Sequence, residues 1–558
     1  MGRLSGSRAA LPGARDVRHS MGTISHVVRI VLVSASTPER GAVVPENVPS
    51  SHAPPSGAPS ATVTPAPATN EQPNILLIMA DQLVPFLTGP YGDAVVRTPN
   101  LDRLAAHGVT FDAAYTPYPL CSPARAAFMT GDHASSFGCY DNAALFPADR
   151  PTFAHYLDVA GYRTALTGKM HFVGPDQRHG FAERLNPDIF PAGFDWLPEV
   201  DENGQFPRGG HAHDYVPPGV GVRTWTRFLT YDEETTHHAV DFIRERALAG
   251  IRDTQEPWLL VASLHHPHDP FHVTEQMWQE YADVEVGIPE PEPDLPINAL
   301  DRWLNEAHDT TGVDLADPDA LRTLRRAYYA LVSYVDRKIG AMLDAVEETG
   351  QASDTVIMVT ADHGDMLGER RMVQKRCFYE WSVRVPLLIT RPGEQNPGRR
   401  CAEPVTLVDL APTILDLAQV PQGQRTPMHG ASLVPLLDGE PWDREAIYSE
   451  YHVEKVHASG YMVRSGTLKY VYVHGHDRQL FDLAGDPGER HDLAGDPERA
   501  ADLERMHALL LDQFDPIALD TATRESVRRR AVIRDAMATT GTRWDFAGAP
   551  PPATRYVR

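Results

Sequence analysis

The chain has 558 residues, 42% hydrophobic and 23% charged, the mix of a folded globular protein and not of a collagen, a coiled coil or a wholly disordered chain. Its 51 basic against 75 acidic residues leave a net charge of −24, which repels phosphate backbones, argues against nucleic acid as a partner and suits a cationic substrate. Four cysteines (Cys121, Cys139, Cys377, Cys401) form no disulfide framework, and no run reaches the ~18 apolar residues of a membrane helix. A cytoplasmic protein without a membrane partner is therefore expected.

In chain order, the segment Val27–Val33 is short, contains Arg29 and is read as no signal peptide. Residues 1–72 are expected to be a disordered extension: Gly41–Asn70 holds seven prolines and no aromatics, too little apolar surface to offset ordering entropy. The folded part opens at Asn74–Asp81, a continuous apolar run ended by a carboxylate, which predicts a buried parallel strand. Trp258–Leu264, Thr355–Ala361 and Val385–Thr390 read alike. A helix is predicted over about Leu321–Glu348, with apolar residues at 321, 324, 328, 331, 335, 339, 342 and 346 and Gly350 stopping it. Strands alternating with helices imply an α/β fold, a large, mainly parallel sheet sandwiched by helices, with ligands at the carboxyl ends of the strands. From about Pro441 the texture changes. Ile447–His452, Tyr461–Arg464, Lys469–Val473 and Gln479–Leu483 predict a smaller antiparallel sheet, followed by a helix near Pro497–Phe514. The expected organisation is 73–440 as catalytic domain, 441–530 as small subdomain and 531–558 as tail.

Residues 119–131 read Pro-Leu-Cys-Ser-Pro-Ala-Arg-Ala-Ala-Phe-Met-Thr-Gly. Pro123 suits the first turn of a helix, so Cys121 is placed at a helix N-terminus, where an anion is favoured, with Arg125 one turn on. A buried capping cysteine would fit those facts equally. The longer string resembles the sulfatase signature Cys-x-Pro-x-Arg followed by Thr-Gly. The resemblance implies an alkaline-phosphatase-like fold and conversion of Cys121 to formylglycine by a separate maturing enzyme. One hydroxyl of the hydrated aldehyde then attacks sulfur and displaces the alcohol. Deprotonation of the other expels sulfate, which splits one difficult step into two.

Asp81 and Asp362 each end a predicted strand, with Gln82 and His363 behind them. Isolated strand-end aspartates are usually turn formers. Together with the cysteine motif, the family resemblance implies one divalent cation on Asp81, Gln82, Asp362, His363 and the converted Cys121. Hard oxygen donors agree with Ca²⁺, and His363 leaves Mn²⁺ or Mg²⁺ open. The same resemblance gives Lys169 as sulfate ligand, His171 as the base for the second diol proton and His268 as sulfate ligand and leaving-group acid. It places Lys375 near the bridging oxygen and Arg125 on the diol. The pairs His211/His213 and His237/His238 match nothing and are expected to face solvent.

Within the sulfatases the likeness is closest to choline-sulfatases. It is carried by Tyr140–Ala144, by Gly168–Gln177 with His179–Phe181, by Ala361–Arg370, and by the tail strings Trp544–Phe546 and Arg555–Arg558. It implies choline-O-sulfate or a similar small alkyl sulfate as substrate, Trp196 and Phe546 as aromatic walls for a quaternary ammonium, Asn142 at the sulfate end, and a homo-oligomer, dimer or tetramer. An ordinary packing role would satisfy Trp196 equally. Pro552-Ala-Thr554, His213-Asp214 and Phe546 depart from that group's pattern, all on the alcohol side. Phosphonate monoester or phosphodiester hydrolases and arylsulfatases of the same superfamily are the alternatives, and a non-catalytic protein on this fold is opposed by the intact set from Cys121 to Lys375.

Overall fold

The computed structural model describes residues 72–199, 211–251, 256–290, 295–310 and 312–544. The expected N-terminal extension, apart from Gln72, and Phe546 with the rest of the far tail lie outside the described residues.

The largest sheet is built from β1 (Asn74–Asp81), β2 (Val109–Phe111), β3 (Arg163–Gly168), β4 (Glu183–Arg184), β5 (Trp258–Pro267), β6 (Thr355–Ala361), β7 (Leu387–Thr390) and β8 (Arg399–Cys401). Their spatial order is β8-β2-β7-β6-β1-β5-β3-β4. The centre is parallel: Leu77 of β1 sits between Val261 of β5 and Met358 of β6, and β3 continues the parallel set beyond β5. Ile75 to Ala80 are fully buried, as are Leu259 to Ala262, which is why these strands read as unbroken apolar runs.

The run at 385–390 differs from the expectation of another parallel strand. Leu387–Thr390 lies antiparallel to β6, with Leu388 opposite Val359. A parallel return needs a crossover, usually a helix. The chain between Ala361 and Leu387 instead forms a loop with only short pieces of helix, at Glu369–Arg371 and Glu380–Val383, so it re-enters beside the strand it left.

Helix α1 (Cys121–Thr130) is buried at every position. Helix α2 (Arg227–Ile251) covers β5, and α3 (Pro318–Glu348) carries the predicted apolar stripe, with Asp317 capping its start through the Asp319 N–H. The four predicted C-terminal strands are β9 (Ile447–Tyr451), β10 (Gly460–Ser465), β11 (Leu468–Val473) and β12 (Arg478–Asp482), an antiparallel meander. Helix α4 (Ala500–Gln513) packs on it through Leu503, Met506 and Leu510. A further helix, α5 (Pro516–Thr540), was not anticipated from the sequence. Among the described residues no helix is long and apolar enough to cross a membrane.

A buried charged cluster joins the small sheet to the loop before β7. Lys469 of β11 places its Nζ 3.0 Å from Glu380 and 2.7 Å from Glu489, and all three side chains are buried.

Candidate active site

Four parallel strands end on one edge of the sheet and hand over the functional residues. β1 ends at Asp81, β3 runs into Lys169, β5 into His268, and β6 into Asp362 and His363. The turns are tightly made. Gln82 has φ +65 and His171 φ +54, left-handed conformations uncommon for such residues and concentrated at functional sites. Tyr328 of α3 clamps the first turn, donating to Gln82 O at 2.7 Å and accepting from Val84 N–H at 3.0 Å. At the second, Gly168 has φ +92, and a Cβ there would collide with the Ser263 carbonyl of β5.

Cys121 begins α1 as expected, with Arg125 one turn on. Arg125 is fully buried: Nε lies 2.8 Å from Asp362 Oδ2, Nη1 donates to Ser263 Oγ at 2.8 Å, and Nη2 is 3.4 Å from Asp81 Oδ2. Ser263 had no signal in the sequence beyond its place on a buried strand. Cys121 Sγ lies 3.2 Å from His363 Nε2, 3.5 Å from Lys169 Nζ and 3.9 Å from Asp81 Oδ1. Lys169 also pairs with Asp81.

The donor atoms of Asp81, Cys121, Asp362 and His363 all lie within 4.8 Å of one another, and all four residues are buried. His363 donates Nδ1–H to Gly364 O at 3.0 Å, which leaves the Nε2 lone pair turned to the cluster. Burial alone would raise the Asp362 carboxyl, but the Arg125 guanidinium beside it, with Lys169 and the Gln82 N–H, outweighs it and holds it well below the usual carboxylate range. Two carboxylates and a neutral imidazole are a donor set suited to a divalent cation. Gln82 sits against this group. Its N–H donates to Asp362 Oδ1 at 3.1 Å, and its side-chain oxygen accepts from Lys375. Burial pushes the Cys121 thiol up to about 11, so the unconverted residue is a protonated, weak nucleophile near neutral pH.

On the far side of Cys121 opens a cavity of about 520 Å³. Lys375 and His268 stand in its wall, Nζ 2.9 Å from Nε2. His268 Nδ1 donates to Asp269 O at 2.7 Å, and burial with Lys375 and Lys169 nearby drives its pKa well down. Lys375 is thus the donor of this pair and His268 its acceptor, the reverse of an imidazolium poised to give up a proton. His171 is buried against Phe190 and Trp196, ring centres 5.2 Å away in each case, and neither ring nitrogen has a hydrogen-bond partner among the described residues. Burial, then Lys169, lowers its pKa to about 3, so it stands as a neutral ring.

Asn142 and Trp196 both line the cavity. Asn142 Oδ1 accepts from Ser122 N–H at 3.0 Å, in the first turn of α1. The expectation for His211 needs correcting: it lines the cavity, its Nδ1 3.3 Å from Gln374 Nε2, because the short 3-10 helix His211–Tyr215 is pinned beside the site by the Tyr215 hydroxyl, which donates to Asp365 at 2.7 Å. His238 is half-buried, while His213 and His237 do face solvent. Phe190, Phe228, Glu199 and Glu454 also line the cavity and were missed. They come from loops and helix starts with no local pattern. Gln374 and Arg376 had a signal, since both flank Lys375 in one polar triple.

The family model described as Sulfatase matches residues 73–420. This chain belongs to the sulfatase family. The region of 368–515 also matches the C-terminal model of N-sulphoglucosamine sulphohydrolase. A choline-sulfatase of Rhizobium meliloti (strain 1021) is 38% identical over 499 residues, which cover 88% of this sulfatase and 96% of that protein. An arylsulfatase of Clostridium perfringens (strain 13 / Type A) is 28% identical, covering 80% and 95%. Among solved structures, a phosphonate monoester hydrolase of Agrobacterium radiobacter superposes with a TM-score of 0.62 at 25% identity, covering 79% and 95%. The sulfatase is therefore an enzyme, a hydrolase, with sulfate esters as the substrates its family implies.

Proposed function

We propose that this sulfatase hydrolyses the sulfate ester of a small cationic alcohol, choline-O-sulfate or a close relative, with Cys121 converted to formylglycine. The observation that carries the reading is the composition of the cavity onto which Cys121 opens. Three aromatic rings (Phe190, Trp196, Phe228) stand there with four carboxylates, Glu199, Asp214, Asp269 and Glu454. Glu199 and Glu454 are already paired with Arg534 and Arg376. Asp214 and Asp269 make no ion pair with a lysine or arginine among the described residues. Burial, with Asp269 close by, pushes Asp214 up to about 6, the mark of a carboxylate that a cation would relieve. Aromatic faces and such carboxylates suit a quaternary ammonium.

Asp81, Asp362 and His363, with Gln82 beside them, would hold one divalent cation, Ca²⁺ by its preference for oxygen donors. Once bound, the cation withdraws charge from a sulfate oxygen and orients residue 121. The chain's own groups supply the rest. Arg125 fixes Asp362 and Asp81 in place. Lys169 and the first turn of α1 present positive charge to the sulfate. Lys375, backed by His268, donates to the oxygen that leaves with the alcohol. Neutral His171 accepts a proton at a ring nitrogen, and Phe190 and Trp196 shield that ring from water.

The test is sulfate release by enzyme produced with a formylglycine-generating enzyme and Ca²⁺, on choline-O-sulfate, an aryl sulfate and an aryl phosphodiester. Preference for choline-O-sulfate is the expected result. Turnover of the aryl sulfate alone withdraws the cationic alcohol, and phosphodiester turnover above both sulfates moves the reading to the phosphonate monoester hydrolase type.

A further inference from the structure

Helix α5 packs on the small subdomain near its start through Leu519, and further along it is held by polar contacts. Its buried residues are Pro516, Thr523, Ser526 and Arg530, while Ile517 and Val532 point outward at 71% and 70% exposure. The spacing 523, 526, 530, 534 puts one polar stripe on the inward face. From it Arg534 pairs with Glu199 at the cavity wall.

Arg530 reaches deeper. Its Nη1 lies 2.7 Å from Asp141 Oδ1 and its Nη2 2.6 Å from Oδ2, a two-point pairing with both side chains buried. Asp141 in turn shapes its own loop: Oδ1 accepts from Ala143 N–H at 2.9 Å, and its carbonyl accepts from Ala144 N–H at 3.0 Å. Between them stands Asn142, whose Oδ1 takes the Ser122 N–H next to Cys121. A path thus runs from α5 to the turn that carries residue 121: the Arg530–Asp141 pair, the Asp141–Asn142 peptide bond, and the Asn142 side-chain hydrogen bond to Ser122, with Glu454 accepting from the Asn142 N–H at 3.3 Å. Buried ion pairs add little net stability, because desolvation offsets attraction, so a pair placed here is better explained by what it orients.

We infer that Arg530 is a positioning residue of the active site, acting through Asp141 to hold the Asn142 amide against the first turn of α1. The inference rests on the sulfate-ester reading only for its kinetic readout. The planar guanidinium fork is essential to it, since a lysine keeps the charge and loses the two-point geometry.

The experiment compares wild type, Arg530→Lys, Asn142→Ala and the double variant as full-length, converted, cation-loaded enzyme. Arg530→Lys leaves Asp141 paired with a charge, so the chain folds. It is expected to lower kcat by about tenfold, as a slightly displaced group at a reacting centre does. In the Asn142→Ala background the same change is expected to cost less than about twofold, because the path is already cut. Amide exchange in the segment 121–126 is expected to quicken about tenfold in Arg530→Lys, with β10 and β11 unchanged. Unchanged kcat with a lowered thermal midpoint, or losses that multiply in the double variant, overturns the inference. If wild type releases sulfate from no ester, the functional reading fails alone. Exchange at 121–126 then decides: faster exchange in Arg530→Lys upholds the positioning role, and unchanged exchange refutes it.

Discussion

Trp196→Leu separates recognition of charge from recognition of shape. The Trp196 ring packs 4.8 Å from Phe190 and 5.2 Å from His171 by ring centres, and the residue is 39% exposed at the cavity. Leucine keeps apolar contact there and removes the ring quadrupole. A cation over tryptophan gains about 0.5–2 kcal/mol. At about 1.4 kcal/mol per factor of ten, that is roughly a 2- to 30-fold change in kcat/KM. The assay pairs choline-O-sulfate with 3,3-dimethylbutyl sulfate, in which a neutral carbon replaces the ammonium nitrogen. The ratio of their kcat/KM values is expected to fall by that factor and to stay above one, since Asp214 and Asp269 remain. An unchanged ratio, or equal losses on both esters, refutes the claim that Trp196 reads the charge.

Three other outcomes are expected. Cys121→Ala abolishes sulfate release while near-UV circular dichroism stays as in wild type, because the side chain is small and its loss leaves no large cavity. Chelation of divalent cations abolishes activity and lowers the thermal midpoint, and Ca²⁺ restores both; stability unmoved by chelation would argue against a cation on Asp81 and Asp362. Lys469→Met takes from buried Glu489 its nearest cation, while Glu380 keeps Arg384 and Arg464 at 3.7 and 3.8 Å, and is expected to cost about 3–5 kcal/mol in urea unfolding, against near neutrality for a surface lysine.

The sheet centre was legible because burial on both faces leaves a mark in the sequence: the expected bounds of Asn74–Asp81 and Thr355–Ala361 coincide with β1 and β6. β3 was not, since Arg163–Gly168 is short and carries two threonines. The direction of β7 depends on what the preceding loop does, which apolar content does not report. Helix α5 escaped because its inward face is polar, so it lacks the stripe by which α3 could be read. The same division holds in the site. Cys121, Arg125, Asp81 and Asp362 lie on strand ends and a helix start that local sequence defines. The cavity walls at Phe190, Glu199 and Phe228 meet only through tertiary folding.

The burial of α1 sets an order of events in the life of the chain. Cys121 is 2% exposed and Pro123, Ala124 and Arg125 are closed off with it, inside the first turn of a helix. An enzyme that reads Cys121 to Arg125 as a linear peptide needs that stretch extended and reachable. In the folded sulfatase it is neither. On the proposed conversion, Cys121 would have to be modified while the segment is still unfolded, because a molecule that folds first holds a buried, protonated thiol. The yield of active enzyme would then be set by a race between modification and folding, so that slower folding, at lower temperature or with slower synthesis, is expected to raise the converted fraction.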